Sequence, residues 1–217
     1  MSRSVRGCVV ATLAAAVLSC LPARAEPVDF DSYVLSLSWS PTFCLQERGG
    51  RDNQQCRSGR PYGFVVHGLW PQRDAGPPPN GCGPAPRIED RLIRNMLDLM
   101  PSFGLVIHEW RSHGTCTGLP PEEFFATVRR AYGHVRIPAE FRNSDRPRDL
   151  APAEIEAAFV RENPGLTRNM VAITCRDRLL QEVRICLSKE LQYRPCPEVD
   201  RRSCRAGRIE VPPIRAR

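Results

Sequence analysis

Four histidines carry the acid–base capacity of this sequence near neutral pH: His67, His108, His113 and His134. Three of them fall in two compact segments of uncommon residue types. The first is Phe64-Val-Val-His-Gly-Leu-Trp-Pro71; the second is His108-Glu-Trp-Arg-Ser-His-Gly-Thr-Cys116. If the second is helical, each residue turns by about 100°. Counted from His108, Ser112 then lies at about 40°, Glu109 at about 100° and His113 at about 140°, all on one face. Trp110 and Arg111 point elsewhere. A carboxylate beside an imidazole raises its pKa and fixes its tautomer. Two imidazoles, a carboxylate and a hydroxyl on one face therefore form a groove able to move protons near neutral pH.

A zinc-protease helix needs His-Glu-x-x-His, with its histidines four apart and nearly superposed. His108 and His113 are five apart, about 140° round the helix. No Cys-x2-Cys pair occurs either. Neither a metal nor an organic cofactor is expected. His134, which follows Gly133 near a helix end, reads as a cap or surface residue. Taken singly, His67 fits a hydrogen-bonded core histidine as well as a functional one, and Trp110 fits a core aromatic. The joint pattern of His67, His108 and His113 points to a proton-transfer site.

The elements that must carry these residues follow from periodicity. Tyr33, Leu35, Leu37 and Trp39 alternate with Ser36 and Ser38, the pattern of a half-buried strand. Residues 41–60 are polar and hold Cys44 and Cys56, a stapled loop. Tyr62 to His67 is a second strand, and the Pro- and Gly-rich stretch from Pro71 to Pro86 is an exposed loop. Ile88, Leu92 and Met96 recur at helical spacing until Pro101; Leu105 to Gly114 forms the next helix. Pro120-Pro121-Glu122-Glu123 starts another, with Phe124, Val128 and Tyr132 on one face. Pro152 to Phe159 is a further helix. Asn169 to Cys175 and Leu179 to Leu187 are strands, the latter with Val183, Ile185 and Leu187 alternating with Glu182, Arg184 and Cys186. The tail from Pro195 reads as irregular. Strands framing a helical block indicate an α+β domain.

The sequence has 217 residues, enough for one sizeable domain. Positive residues outnumber negative ones by seven, and 30 of the 31 are arginine, Lys189 being the lysine. That balance is compatible with a polyanionic partner and by itself proves none. Residues 1–25 read as a secretory signal peptide: Arg3 and Arg6, an apolar run from Cys8 to Leu21, then Ala23-Arg24-Ala25 before Glu26. Val17-Leu18-Ser19-Cys20 resembles a lipoprotein signal, but Leu18 is bulky for it, so soluble export is the expectation. Removal of the leader lowers the formal charge from +7 to +4. The remaining 26–217 form the expected domain, without stable membrane insertion. Eight cysteines remain: Cys44, Cys56, Cys82, Cys116, Cys175, Cys186, Cys196 and Cys204. An even set in an exported chain reads as four disulfides, whose pairing the count leaves open.

His67-Gly-Leu-Trp-Pro71 resembles the first active-site segment of ribonuclease T2 enzymes, and His108-Glu-Trp-x-x-His-Gly-Thr-Cys116 the second. Tyr33 to Cys44 resembles the family's first strand and first cysteine, and the last four cysteines its nested C-terminal pairs, so the likeness covers most of 29–205. It implies a central antiparallel β-sheet flanked by helices, with the cleft on the sheet. It also implies disulfides Cys44–Cys56, Cys82–Cys116, Cys175–Cys204 and Cys186–Cys196, each contributing about 2–4 kcal/mol.

The resemblance implies a secreted or periplasmic endoribonuclease of low base specificity. It would act as a monomer on single-stranded RNA and need no metal. His113 would be the general base and His67 the general acid; His108 would bind the phosphate, and Glu109 would support His113 or donate to a phosphate oxygen. Cleavage would pass through a 2′,3′-cyclic phosphate to a 3′-phosphate, and DNA, lacking the 2′-hydroxyl, would be inert. Trp70 would stack on a base. One departure stands out. The family usually carries a lysine just before the last histidine of the second segment, where this sequence has Ser112. Arg111 points away from the Glu109–His113 pair and is a poor substitute. Ser112 therefore motivates an alternative, a weakened or inactive relative that binds RNA or a protein.

Overall fold

The computed structural model describes residues 28–46 and 53–215. The expected signal peptide, Cys20 included, lies outside the described residues. The elements run as β1 Ser32–Trp39, α1 Ser40–Gln46, α2 Asn53–Cys56, β2 Phe64–Gln72, α3 Asp90–Met96 and α4 Phe103–Ser112, followed by a 3-10 turn at Gly114–Thr117. Then come α5 Pro121–His134, α6 Ala139–Arg142, β3 Arg148–Leu150, α7 Pro152–Glu162, β4 Val171–Arg176, β5 Leu179–Ser188, α8 Pro197–Asp200 and β6 Ile209–Val211.

Among the described residues the strands form one sheet in the order β2-β1-β5-β6-β3, with β4 on β5. The ladders are antiparallel except where β6 meets β5, in parallel, at the single pair Leu179 and Glu210. Directly paired residues share a face, so the register sorts the side chains. Leu35 pairs Leu69 and Ile185, Leu37 pairs Val66 and Val183, and Trp39 pairs Phe64. These residues form the core face. Phe64 packs edge-on against Trp39 and Phe159, with Phe141 beside it. Helix α5 buries Phe124, Phe125, Val128 and Ala131 in the same core, and α7 buries Ile155, Ala158 and Phe159.

The opposite face carries Val34, Ser36 and Ser38 of β1, Gly68 and Trp70 of β2, and Glu182, Arg184 and Cys186 of β5. Strand β1 is not half-buried as its alternation suggests: Ser36 is as fully buried as Leu35 and Leu37. Ser36 pairs with Gly68 of β2 on one side and Arg184 of β5 on the other, in the middle of the sheet.

Strand β2 extends past the expected His67 to Gln72, taking Trp70 and Pro71 with it. Pro71 is tolerated because β2 is an edge strand and proline costs no ladder bond on that side. The stretch 41–60 is stapled by Cys44–Cys56, but it includes two short helices, with Gln55 donating to Ser40 Oγ at 2.8 Å. The tail likewise contains α8 and β6, because Ile209 and Val211 enter the core.

Candidate active site

His67 owes its position to a β-bulge. The β1–β2 register shifts between Ser36, opposite Gly68, and Leu37, opposite Val66, so His67 is the extra residue of β2. Strict alternation from Val66 would put Gly68 and Trp70 on the core face and leave His67 opposite them. The bulge resets the count, so that Val66 and Leu69 face the core while His67 joins Gly68 and Trp70 on the other side. Gly68 is required there. A methyl group on its Cα would overlap the Glu109 carboxylate and Trp70 Nε1.

Helix α4 supplies the second half. Ser102 caps it, its Oγ accepting from the Leu105 amide at 3.2 Å, so it starts two residues before the expected Leu105. It ends at Ser112, not Gly114. His113 turns out of the helix with φ −125° and ψ −43°, its amide still bonded to Glu109 O at 3.0 Å. The residues after it have structural reasons for their types. A side chain at Gly114 would overlap the Trp110 ring. The Thr115 hydroxyl donates to Arg111 O at 3.0 Å, closing a free helix-end carbonyl. Cys116 is bonded to Cys82, and the Gly81 amide donates to Ser112 O at 2.8 Å, so the loop after β2 is tied to the end of α4. All four disulfides have the pairing that the resemblance implies.

The two halves meet at Glu109, only 1 % exposed. His67 Nε2 lies 3.8 Å from its Oε1, and His113 Nε2 3.9 Å from its Oε2. Trp70 Nε1 donates to Oε2 at 2.8 Å, and the Trp70 ring lies 5.1 Å from the His67 ring and 5.6 Å from that of His113, centre to centre. Glu109 Oε1 and His113 Nδ1 are buried without a hydrogen-bond partner among the described residues. Buried orphans of this kind are uncommon and each calls for an explanation, a catalytic role among them.

Two residues join the site that sequence reasoning did not place in it. Glu182 of β5, buried, accepts from His67 Nδ1 at 2.5 Å through Oε1. Its Oε2 accepts from Arg184 Nε and Nη2 at 2.9 and 2.7 Å. The Arg184 guanidinium lies over the Trp70 ring, 5.1 Å from its centre. Their alternation with Val183 and Ile185 is visible in the sequence. The neighbouring strand they face is not.

The environment separates the two imidazoles. Burial works against a charged His67, but its hydrogen bond to Glu182, then the charges of Glu182 and Glu109, outweigh both that and Arg184, so its pKa is raised above 6.5. Burial, with the charges of His108 and His67, pushes His113 down to about 4. Burial pushes Glu109 up to about 7 against the His67 charge and the Trp70 bond. Burial would also raise Glu182, yet His67 and Arg184 together hold it at about 2.

The remaining expected residues lie further out. His108 is exposed, within electrostatic reach of His113. Ser112 contributes its backbone carbonyl, and its hydroxyl makes no hydrogen bond among the described residues. Arg111 is exposed. His134 is an exposed residue at the end of α5, packed on Tyr193 with ring centres 4.8 Å apart. Trp110 is buried in the core with its Nε1 donating to Pro86 O at 3.0 Å.

A model described as the Ribonuclease T2 family matches residues 30–196. A ribonuclease of Aeromonas hydrophila is 34% identical over 174 residues, covering 79% of this chain and 78% of that protein. A probable ribonuclease of Haemophilus influenzae is 32% identical over 182 residues, covering 78% of this chain and 61% of that one. Among solved structures, the RNase-related protein from Calystegia sepium superposes with a TM-score of 0.70 at 26% identity, over 86% of this chain and 98% of its own. Fold and site thus define an RNA-cleaving enzyme on a disulfide-stapled α+β domain. The chain belongs to the ribonuclease T2 family.

Proposed function

We propose that the protein is an endoribonuclease that cleaves single-stranded RNA by transesterification, His113 acting as base and His67 as acid. The observation that carries this reading is the pair of imidazoles on the two oxygens of one buried carboxylate, with pKa values displaced in opposite directions. Titratable partners pushed apart by their surroundings mark acid–base assignments. His113, held low, is neutral and able to accept the 2′-hydroxyl proton at Nε2. The 2′-oxygen then attacks phosphorus, and the P–O5′ bond breaks as His67 gives its Nε2 proton to the leaving oxygen. Nδ1 of His67 stays on Glu182 throughout. The product is a 2′,3′-cyclic phosphate; water opens it with the two roles reversed, leaving a 3′-phosphate.

Each proton transfer is worth about 10²–10⁴-fold. Glu109 keeps its proton up to about pH 7, and Oε1 is free to present a hydrogen bond to a phosphate oxygen. His108, at the rim, adds positive charge for the phosphate when protonated, and the Trp70 ring offers a surface for a base. DNA has no 2′-hydroxyl and supplies no nucleophile. The substrate carries its own nucleophile, so side chains can supply the chemistry without a metal or organic cofactor.

Residues 1–25 are read as a leader that exports the chain to the periplasm or beyond, where it acts as a monomer. Four disulfides suit an oxidising compartment. No helix among the described residues is long and apolar enough to cross a membrane. The test is incubation of pure, oxidised protein in EDTA with RNA and with DNA. RNA should be cut to cyclic-phosphate ends and DNA left whole; intact RNA refutes the reading.

A further inference from the structure

Position 112 holds a serine whose hydroxyl engages nothing among the described residues, and Arg111 turns to solvent. A phosphorane that gathers negative charge between His67 and His113 still needs a fixed positive group. We infer that Arg184, anchored by Glu182 and laid against Trp70, is the catalytic cation of this site, taking over on β5 the role left empty at position 112. The inference rests on the ribonuclease reading above.

Register places Arg184 on the correct face. It pairs with Ser36, which pairs on its other side with Gly68, so one line across three strands joins Arg184 to the bulge at His67. The side chain is 26% exposed, neither lost in the core nor free in solvent. Nε and Nη2 hold Glu182, while Nη1 has no acceptor among the described residues. One edge of the guanidinium is therefore fixed and the other is available, with Trp70 limiting its tilt. Among the described residues no other lysine or arginine makes an ion pair, hydrogen bond or cation–π contact with His67, Glu109, Trp70, His113 or Glu182.

Charge counting agrees. Glu182 needs one cationic partner, and protonated His67 already provides it through Oε1. Arg184 leaves the His67–Glu182–Arg184 trio with a net charge of +1, facing the place where the phosphorane forms. Arginine suits the task because it stays charged at every working pH and keeps further donors after a bidentate bond.

The experiment measures kcat and KM for the dinucleotide UpA in EDTA, with thermal unfolding recorded for each variant. Arg184→Gln should lower kcat by about 10²–10³-fold while KM changes less than about threefold. Adding Ser112→Lys to that variant should restore kcat at least about tenfold, whereas Ser112→Lys in the wild type should change it less than about threefold. Such non-additivity is the signature of two groups serving one function. Rescue also separates a charge on the phosphorane from a role confined to holding Glu182, which a lysine at 112 could not replace. The inference is overturned if Arg184→Gln stays within about threefold of wild type, if Ser112→Lys fails to rescue it, or if Ser112→Lys alone accelerates the wild type tenfold or more. That last measurement decides the matter even if Arg184→Gln does not fold. Failure of the wild type to cleave UpA would instead remove the ribonuclease reading itself.

Discussion

Glu182 Oε1 lies 2.5 Å from His67 Nδ1, so a carboxylate 115 positions further along the chain holds the imidazole of the first histidine segment. The contact points the other ring nitrogen, Nε2, at Glu109 and the cleft. It also keeps that ring protonated to higher pH than an ordinary histidine. In the proposed mechanism this difference from His113, held low, gives the site its direction.

The pH dependence of kcat/KM should be a bell. The acid limb belongs to His113, which must lose its proton to act and does so at about 4. The alkaline limb belongs to His67, which must keep its proton and loses it above 6.5. Dinucleotide cleavage across pH 3–9 measures both. An acid limb near the ordinary histidine value would reverse or discard these roles.

His67→Ala and His113→Ala should each reduce cleavage by about 10²–10⁴-fold or more, with thermal unfolding close to wild type. The His67 side chain is 37% exposed and that of His113 16%, so neither truncation opens a large core cavity. Near-normal turnover in either variant would mean that another group moves that proton.

Glu182→Gln should move the alkaline limb to lower pH, because the partner that raises His67 is then neutral. The rate at pH 7 should fall. The same change alters stability in a defined window. Glu182 titrates at about 2 instead of 4.5, so its contribution is present above 4.5 and is lost as pH falls towards 2. His67 has the opposite sign: its contribution is full below 6.5 and fades as pH rises through the raised value. Melting temperature plotted against pH should therefore be flatter at both ends for the variant. An unchanged profile would count against the coupling.

Gly68→Ala should cost at least about 10²-fold in activity, since displacing a catalytic group by about 1 Å is enough for a loss of that size. Its methyl group would occupy the space of the Glu109 carboxylate and Trp70 Nε1. Overpacking of this kind also costs about 1–3 kcal/mol of stability. Wild-type turnover in Gly68→Ala, measured on the same dinucleotide, would show that the close approach has no bearing on catalysis.

The sequence by itself picked out the acid–base groups that the fold gathers in one cleft. His67, Glu109 and His113 lie in short segments whose residue types have local reasons: Gly114 for contact with Trp110, Thr115 to close α4, and Cys116 to tie it down. It also determined the class of fold, because core alternation in β1 and β5 and helical spacing in α3, α5 and α7 are local properties. The boundaries of α4 and β2 were less legible. A capping serine and an edge position that tolerates Pro71 depend on neighbours.

Only the tertiary structure decided which charged residues complete the site. Glu182 and Arg184 alternate with core residues like the outward side chains of any surface strand. Their meaning comes from lying one strand away from a bulge that turns His67 towards them. Strand order and bulge position are set by the packing of the whole sheet, so no window of local sequence contains them. The same packing buried Ser36, which period-two alternation alone assigns to an open face.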